Sequence, residues 1–242
     1  VKMSKDQLLT QTPLINFIRS HSSFSRRDVL SAIENKKVRV NKKIITDTSY
    51  LVSTNDTVYV DNQQIKPSTF FYYKFNKPIG TLSTFKDPKN RTDLTYHLKK
   101  YQLPNSLKPC GRLDVNSSGL LLFSNDGHFI NHVLHPKYTI KKTYAIILDK
   151  PLSENDKKTM NAGFFLSDGP VSIEFDRFTS NREFNVIISM GRNRILRRSF
   201  EHFGYSVTTL HRLSIGPISI GSLKPGEFQS IDPKIIKILV QE

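Results

Sequence analysis

The sequence predicts an α+β protein in two parts, a small basic module followed by a larger domain. Short strand-like and helical segments follow one another without regular alternation, which argues against a doubly wound parallel sheet. The 242 residues are 37% hydrophobic and 10% aromatic, which is enough apolar material for a packed core. The composition changes near Lys66-Pro67-Ser68, so we expect domains at residues 12–66 and 67–242.

The first module is predicted to contain two helices and then a β-hairpin. Leu14, Phe17 and Ile18 form an apolar stripe at helical spacing. Ser25-Arg26-Arg27-Asp28 matches a capping box, in which a serine and a carboxylate satisfy the first backbone amides of a second helix. Strand-like residues flank Asn41-Lys42, which indicates a tight hairpin.

The second part is predicted to form a mostly antiparallel central sheet with flanking helices. Its strand candidates are short apolar runs at residues 70–75, 120–123, 143–148, 171–175 and 184–189. Two helices stand out, at residues 129–134 and 194–203, and Gly204 follows the second one as a typical helix terminator.

The charge balance limits the classes of partner. The chain has 36 Lys and Arg against 21 Asp and Glu, a net charge of +15, which favours nucleic acid or an acidic membrane face. No apolar run approaches the roughly 20 residues of a membrane-spanning helix, and Val1–Asp6 lack the apolar stretch of a signal peptide. The one cysteine, Cys110, excludes an internal disulfide and a multi-cysteine zinc site. We therefore expect a cytoplasmic protein that binds a polyanion.

Basic residues are dense in the first module. They could follow a phosphate backbone, although charge alone fits a solvated surface equally well. The candidates for RNA contacts are Arg26, Arg27, Lys36, Lys37, Arg39, Lys42 and Lys43.

The stretch most indicative of chemistry is a polar loop, Gly111–Ser117, that leads into the apolar run Gly119–Phe123. Asp114 lies in this loop, and Arg112 precedes it by two positions. A single carboxylate beside a cation suits an ionised nucleophile and does not suit a paired-acid glycosidase. A loop aspartate that only caps a turn is the alternative.

A second basic cluster occupies residues 190–198. If a helix begins near Asn193, then Arg194, Arg197 and Arg198 share one face, which could bind phosphate or pair with a buried carboxylate. Between the two clusters, Tyr144 begins a predicted strand, and its ring is either available for stacking on a base or simply half-buried.

Five motifs follow one another along the second part of the chain. They are Asn76–Gly80, the Gly111–Asp114 loop with its strand and the Asn125–Gly127 turn, Lys142–Tyr144, the arginine-rich helix, and Leu213–Pro217 with Leu223–Glu227. In this order they strongly resemble bacterial ribosomal RNA pseudouridine synthases of the RsuA/RluB group. The first module resembles an S4-like RNA-binding domain, so the resemblance covers nearly the whole chain.

The resemblance implies a role for individual residues. Asp114 matches the catalytic aspartate of the family, and Arg112 matches the arginine in the same loop. Tyr144 matches the tyrosine that packs on the target base. Arg197 matches the basic residue that pairs with the catalytic carboxylate. Arg194 and Arg198 are then expected to meet phosphate, and Arg192 is a further RNA-contact candidate. Met190 and Ile195 depart from the family pattern, which usually has Glu and Gln there; neither position matches a catalytic residue.

The implied reaction is isomerisation of a flipped-out uridine in ribosomal RNA or a pre-ribosomal particle, without a metal or organic cofactor and by a monomer. Arg91–Leu94 and the Gly119–Leu122 strand favour 23S rRNA, with 16S rRNA as the alternative. Which atom Asp114 attacks stays open at this point. A non-catalytic RNA-binding factor is the rival class, because a fold alone never proves an activity.

Two other functions, DNA binding and metal binding, have little support in the sequence. No zinc-finger or helix-turn-helix pattern supports a DNA-binding protein. His128, His132 and His135 have helical spacing but lack the glutamate of a His-Glu-x-x-His site, so we expect no metal there.

Overall fold

The computed structural model describes residues 11–22, 24–53, 55–66 and 69–241. These residues form two compact units. One contains the described residues up to Phe70 together with Asn125–Gly127, and the other contains residues 71–124 and 128–241. Pro67 and Ser68 of the expected linker, as well as Val1–Asp6, lie outside the described residues, so the domain limits of 12–66 and 67–242 stay a prediction.

The first unit contains the two predicted helices and more strands than the predicted hairpin. Strands β3, β2, β5 and β6 form an antiparallel sheet in that order, and β1 pairs with β4. The elements are β1 (Thr12–Pro13), α1 (Leu14–Ser20), α2 (Arg26–Glu34), β2 (Val38–Val40), β3 (Lys43–Ile44), β4 (Leu51–Val52), β5 (Val58–Val60) and β6 (Gln63–Ile65).

Local sequence signals explain these elements. The Ser25 amide donates to the Asp28 carboxylate (2.7 Å) and the Asp28 amide donates to the Ser25 hydroxyl (3.2 Å), so the predicted capping box begins α2. Leu14 and Ile18 are fully buried against α2 and the sheet, which makes them part of this unit's core. Phe17, the third member of the stripe, packs at the edge of that core.

The second unit is built on a nine-stranded sheet. The main path of strands is β13-β14-β10-β15-β9-β7-β17, with β16 beside β15 and β8 beside β9. Only β9 and β15 are parallel among these pairs, so the predicted largely antiparallel sheet is confirmed. The elements are β7 (Tyr72–Lys77), α3 (Leu94–Lys100), β8 (Lys108–Pro109), β9 (Ser118–Ser124), α4 (Gly127–Leu134), β10 (Lys142–Leu148), α5 (Glu154–Ala162), β11 (Phe164–Leu166), β12 (Gly169–Val171), β13 (Glu174–Phe178), β14 (Glu183–Ile188), α6 (Ile195–His202), β15 (Val207–Ile215), β16 (Ile218–Ser219), β17 (Phe228–Ser230) and α7 (Pro233–Gln241).

Strand β9 lies in the centre of the core. Leu120 and Leu122 pack with α4 and α7, whereas Leu121 and Phe123 pack with α3 and β7 on the opposite face. Because successive side chains of a strand point to opposite faces, a strand buried on both faces is a continuous apolar run in the sequence. That run leads directly out of the loop that carries Asp114.

Some predicted boundaries differ from the structure. The strand expected at residues 70–75 spans Tyr72–Lys77. The strand expected at residues 171–175 is divided into β12 and β13, because the Ile173 amide leaves the ladder and donates to the Met160 carbonyl (3.0 Å). The arginine-rich helix expected at residues 194–203 spans Ile195–His202, because Arg194 is in the left-handed conformation (φ 46°, ψ 32°) and cannot belong to a right-handed helix.

The long strand β15 and the helices α3, α5 and α7 were not predicted from the sequence. Each of these helices is short, with seven to nine residues. In the part of the chain that the structure describes, no helix combines the length and apolar composition needed to cross a bilayer.

Gly119 fixes the contact between β9 and β15. It lies opposite Arg212 at φ +104°, and a Cβ there would approach the Arg212 carbonyl oxygen to 2.3 Å and its amide nitrogen to 2.5 Å. Both atoms are backbone, so the collision has no flexible side chain to absorb it. We predict that Gly119→Ala lowers the free energy of unfolding by at least about 2 kcal/mol through backbone strain and overpacking.

Urea denaturation followed by circular dichroism measures this loss. Gly127→Ala is the matched control, because a Cβ at Gly127 would meet no heavy atom within 4 Å. A Gly119→Ala protein as stable as the control would show that the close approach does not constrain the sheet.

Candidate active site

The candidate site is a cavity of about 130 Å³ in the second unit. Five pieces of chain form it: the loop at residues 110–117 before β9, the end of α4 at Leu134, the start of β10, the segment 190–196 that leads into α6, and the inner face of β15. Asp114 is the one carboxylate among the described residues that line it. The charged and aromatic lining residues are Arg112, Asp114, Lys142, Tyr144, Arg192, Arg194 and Arg212.

Polar contacts on both sides of Asp114 hold its loop. The Ser83 hydroxyl donates to the Leu113 carbonyl (2.6 Å) and accepts from the Leu113 amide (3.1 Å). The Gly80 amide donates to the Val115 carbonyl (2.8 Å). Leu113 itself is buried in the core, so the backbone on either side of Asp114 has little freedom to move.

Lys77 anchors the end of the same loop. Its side chain is fully buried, and its ammonium donates to the carbonyls of Ser117 (2.8 Å) and Pro78 (3.0 Å). Burial lowers the pKa of Lys77 to about 8, and the nearby Arg212 charge acts in the same direction, while the Asp114 charge opposes both. Sequence analysis noticed Lys77 only as part of a motif and assigned it no role.

The partner of Asp114 is not the predicted one. Arg194 Nη1 lies 3.7 Å from Asp114 Oδ2, and both side chains are partly exposed. Arg197 points to the backbone instead and donates to the carbonyls of Val207 (2.6 Å) and Asn116 (2.8 Å). The expected Arg197–Asp114 pair is therefore wrong for this structure, because the later start of α6 leaves Arg194 outside the helix and free to turn toward Asp114.

Arg197 nevertheless belongs to the same electrostatic environment. Burial is the main cause that lowers the pKa of Arg197, the Arg194 charge adds to it, and the Asp114 charge raises that pKa. Its hydrogen bonds link α6 to β15 and to the end of the Asp114 loop. Arg197 thus holds the loop while keeping a positive charge near the carboxylate.

Tyr144 and Arg212 form the inner wall of the cavity. Tyr144 is 7% exposed, and its hydroxyl accepts a hydrogen bond from Arg212 Nη1 (3.3 Å). Arg212 is 4% exposed and also donates through Nε to the Leu120 carbonyl (2.6 Å). Sequence analysis missed Arg212, although alternation along β15 places it on the same buried face as Leu210, and a buried arginine there is a usable signal.

The other predicted RNA-contact arginines of this unit are engaged within the protein. Asp168 accepts from Arg198 Nη2 (2.7 Å) and Arg192 Nη1 (3.1 Å), which ties α6 to the β11–β12 hairpin. The hydrogen bond from Arg198 is the main cause that lowers the pKa of Asp168. Arg112 is exposed and lies at the edge of the cavity.

The predicted RNA-contact residues of the first unit are mostly exposed. The exposed ones are Arg26, Arg27, Lys36, Lys37, Lys42 and Lys43. Arg39 is half-buried, donates to the Asn62 side chain (3.0 Å) and stacks over the Tyr59 ring at 5.3 Å. Lys37 pairs with Asp61 (3.1 Å), so its charge is partly neutralised.

Two of the three histidines at helical spacing, His132 in α4 and His135 just after it, make contacts within the protein. His132 is buried and stacks on Tyr138 with ring centroids 3.8 Å apart, and His135 accepts from the Lys137 amide (3.3 Å). Among residues 11–22, 24–53, 55–66 and 69–241, no three His, Cys, Asp or Glu side chains are grouped in a way that could hold a metal ion. Cys110 is buried and lines the cavity.

Models of two protein families match separate stretches of the chain. The family model for RNA pseudouridylate synthase matches residues 72–202, and the model for the S4 domain matches residues 12–58. The chain is 33% identical over 222 residues to ribosomal large subunit pseudouridine synthase B of Bacillus subtilis, with 89% of this chain and 90% of that protein covered. It is 31% identical over 222 residues to an uncharacterized RNA pseudouridine synthase of Aquifex aeolicus. A crystal structure of a pseudouridylate synthase superposes with a TM-score of 0.68 at 28% identity and covers 94% of this chain and 99% of that one.

Two desolvated lysines, the buried Lys77 and the half-buried Lys142, give the site a testable pH dependence. Burial lowers the pKa values of Lys77 and Lys142 to about 8, against 10.5 for an ordinary lysine. Between about pH 8 and pH 10.5, these two lysines are more protonated in the unfolded chain than in the folded protein. The free energy of unfolding that each lysine contributes therefore rises as the pH rises from about 8 to 10.5. We predict two lysine Cε resonances in carbon-13 NMR that titrate near pH 8.

Lys142→Met assigns one of the two resonances by its loss. Titration of every lysine near 10.5 would contradict the desolvation of this site.

Proposed function

The chain belongs to the RNA pseudouridylate synthase family and carries an N-terminal S4 domain, and we propose that it isomerises one uridine of large-subunit ribosomal RNA with Asp114 as the catalytic carboxylate. The chain is a pseudouridine synthase. The observation that carries the assignment of Asp114 is its position as the single carboxylate, among the described lining residues, of a cavity with a buried tyrosine and several cations. The relatives named for the ribosomal large subunit support 23S rather than 16S rRNA.

The reaction breaks the N1–C1′ bond of uridine, turns the uracil and joins C5 to C1′. A cavity of about 130 Å³ admits a single base and no duplex, so the nucleotide must leave its stack before it reacts. Substrate and product contain the same atoms: C5 loses a proton and N1 gains one. Because nothing is oxidised or hydrolysed, we propose that the chain needs neither a metal nor an organic cofactor.

Each candidate residue has a task in this scheme. Asp114 attacks the sugar or the base, or first removes a proton, while Arg197 keeps it ionised. Tyr144 supports the detached uracil by stacking. Arg112 stands at the entrance, where it contacts the RNA strand that carries the target.

The remaining cations are proposed to bind the RNA backbone. In the first unit these are Arg26, Arg27, Lys36, Lys37, Arg39, Lys42 and Lys43, and in the second unit Arg192, Arg194 and Arg198. Phosphate neutralisation by exposed cations supplies affinity and makes that affinity depend on salt. We propose domains at residues 12–66 and 67–242 and a monomer that acts in the cytoplasm on rRNA or a pre-ribosomal particle.

Replacing the carboxylate tests the reaction itself. Asp114→Asn keeps the size of the side chain and removes its charge and nucleophilicity, so we predict loss of pseudouridine formation with RNA affinity within about threefold of the original. The measurement is tritium released from C5-tritiated uridine in rRNA transcripts, with RNA binding determined in parallel. Asp176→Asn, at an exposed position on β13, is the control. Undiminished tritium release by Asp114→Asn would refute the assignment.

The two arginines near Asp114 are expected to differ. Arg197 is fixed by backbone carbonyls beside the loop, so its charge stays near Asp114, whereas Arg194 is 47% exposed and can exchange its contact for phosphate. We predict that Arg197→Met lowers the single-turnover rate about 100-fold or more with a modest loss of RNA affinity, and that Arg194→Met mainly lowers affinity.

Arg197→Lys should recover part of the rate, because the positive charge remains. Arg177→Met, an exposed arginine on β13, controls for the loss of one positive charge. If Arg197→Met keeps its rate and loses only affinity, Arg197 has no role in keeping Asp114 reactive.

A further inference from the structure

Arg212 has one donor that nothing in the described protein uses. Nε and Nη1 are occupied by the Leu120 carbonyl and the Tyr144 hydroxyl, but Nη2 is buried and has no hydrogen-bond partner among the described residues. The side chain is 96% buried and lines the cavity together with Asp114 and Tyr144. A buried guanidinium N–H without an acceptor is costly, so a donor left in this state in the wall of a cavity points to an acceptor that arrives with the ligand.

The position of this donor is fixed. Gly119 approaches the Arg212 backbone so closely that no side chain fits between them, and the bond from Nε to Leu120 spans the same parallel pair of strands. Nη1 is held by Tyr144, whose ring lies 5.8 Å from the guanidinium carbon. The guanidinium is therefore fixed in a rigid wall of the cavity, beside the proposed stacking surface.

The charge around Arg212 favours an anion in the cavity. Its guanidinium is close enough to Lys77 and to Lys142 to lower the pKa of each. Asp114 is the one carboxylate among the described lining residues, and it is already 3.7 Å from Arg194. Cations thus outnumber carboxylates here, which would stabilise negative charge that develops on a bound group.

We propose that Arg212 donates through Nη2 to a ring carbonyl oxygen of the target uracil and stabilises the base as an anion while it is detached from the sugar. This inference rests on the proposed function and adds a catalytic residue to it. A carbonyl oxygen beside the stacking tyrosine fits a planar donor fixed in the wall of the cavity.

The electron balance explains why such a donor helps. When the N1–C1′ bond breaks, its electron pair stays on N1 and spreads onto the two carbonyl oxygens O2 and O4. The electron-poor C1′ either bonds to the Asp114 carboxylate or is relieved by transfer of the C2′ proton to that carboxylate. When C5 then bonds to C1′, the bond between C1′ and Asp114 breaks in the first case, and the proton returns from Asp114 to C2′ in the second. In both cases the negative charge leaves the oxygens, C5 releases its proton and N1 takes one up. Arg212 keeps its own proton throughout, because arginine is not deprotonated in proteins.

The test combines a protein variant with altered substrates. The probe is an rRNA stem-loop in which the unaltered protein converts one mapped uridine, prepared with uridine, 2-thiouridine or 4-thiouridine at that position. Sulfur is a poor hydrogen-bond acceptor yet makes the base a better leaving group, so a slower reaction of a thio substrate reports a lost hydrogen bond. For the unaltered protein we expect one of the two thio substrates to react at least about tenfold more slowly with unchanged RNA affinity.

Arg212→Lys is expected to lose about 100-fold or more in single-turnover rate on the uridine substrate with little change in RNA affinity. On the thio substrate that reacts slowly with the unaltered protein, Arg212→Lys should lower the single-turnover rate by less than about fivefold, because the hydrogen bond is already absent. On the other thio substrate, Arg212→Lys should lower the rate as much as it does on uridine. Arg182→Lys is the matched control, because Arg182 also donates through Nε to a strand carbonyl, that of Leu148, but lies outside the cavity lining.

Equal losses on all three substrates, or a loss confined to RNA affinity as expected for a phosphate contact, would overturn the proposal. If Arg212→Lys does not fold, the unaltered protein still decides, since full rates on both thio substrates would refute a bond to a ring oxygen. Absence of pseudouridine in any rRNA with the unaltered protein would instead reject the proposed function itself.

Discussion

The close approach of Gly119 to the Arg212 backbone determines where the parts of the candidate site lie. This contact joins β9 to β15, the single parallel pairing in the main path of the large sheet. The loop with Asp114 leads into β9, and β15 carries Arg212, so the two side chains come to one cavity only if these strands meet without a gap. A residue with a Cβ at position 119 would push the strands apart and separate the carboxylate from the inner wall.

Around this contact, the protein combines rigidity with an excess of positive charge. Ser83, Gly80 and Lys77 bind the backbone of the Asp114 loop at successive points, so the carboxylate is presented in a defined position. Polar groups that are already held in place do not have to reorient when charge develops in a reaction. Such preorganised groups usually make the largest single contribution to lowering the activation barrier in an enzyme. The desolvated ammonium of Lys77 is unfavourable for folding but fixes the Asp114 loop through two backbone carbonyls. The unsatisfied Nη2 of Arg212 is also unfavourable, and we interpret it as a feature retained for binding a ligand.

Local signals in the sequence predicted about half of the helices and strands, and contacts between distant residues explain several of the failures. The Ser25–Asp28 capping box and the apolar run 119–123 depend on neighbours in the chain, so they were visible directly. The division of the strand at Ile173 depends on Met160, and the start of α6 depends on the backbone conformation of Arg194, which helical periodicity does not encode. Asp114 and Tyr144 were found through motif resemblance, whereas the pairing of Arg194 with Asp114 and the open donor of Arg212 follow only from three-dimensional packing.

The central claim is that this cavity receives one flipped uridine between Tyr144 and Arg212, beside Asp114. A crystal structure of the protein bound to an rRNA stem-loop with 5-fluorouridine at the converted position tests it most directly, because fluorine at C5 prevents the final proton loss and holds the base in the site. We predict the fluorinated base stacked on Tyr144, with a ring oxygen within hydrogen-bond distance of Arg212 Nη2 and the sugar next to Asp114. A base that remains in the RNA stack, or that lies in another part of the protein, would contradict the account.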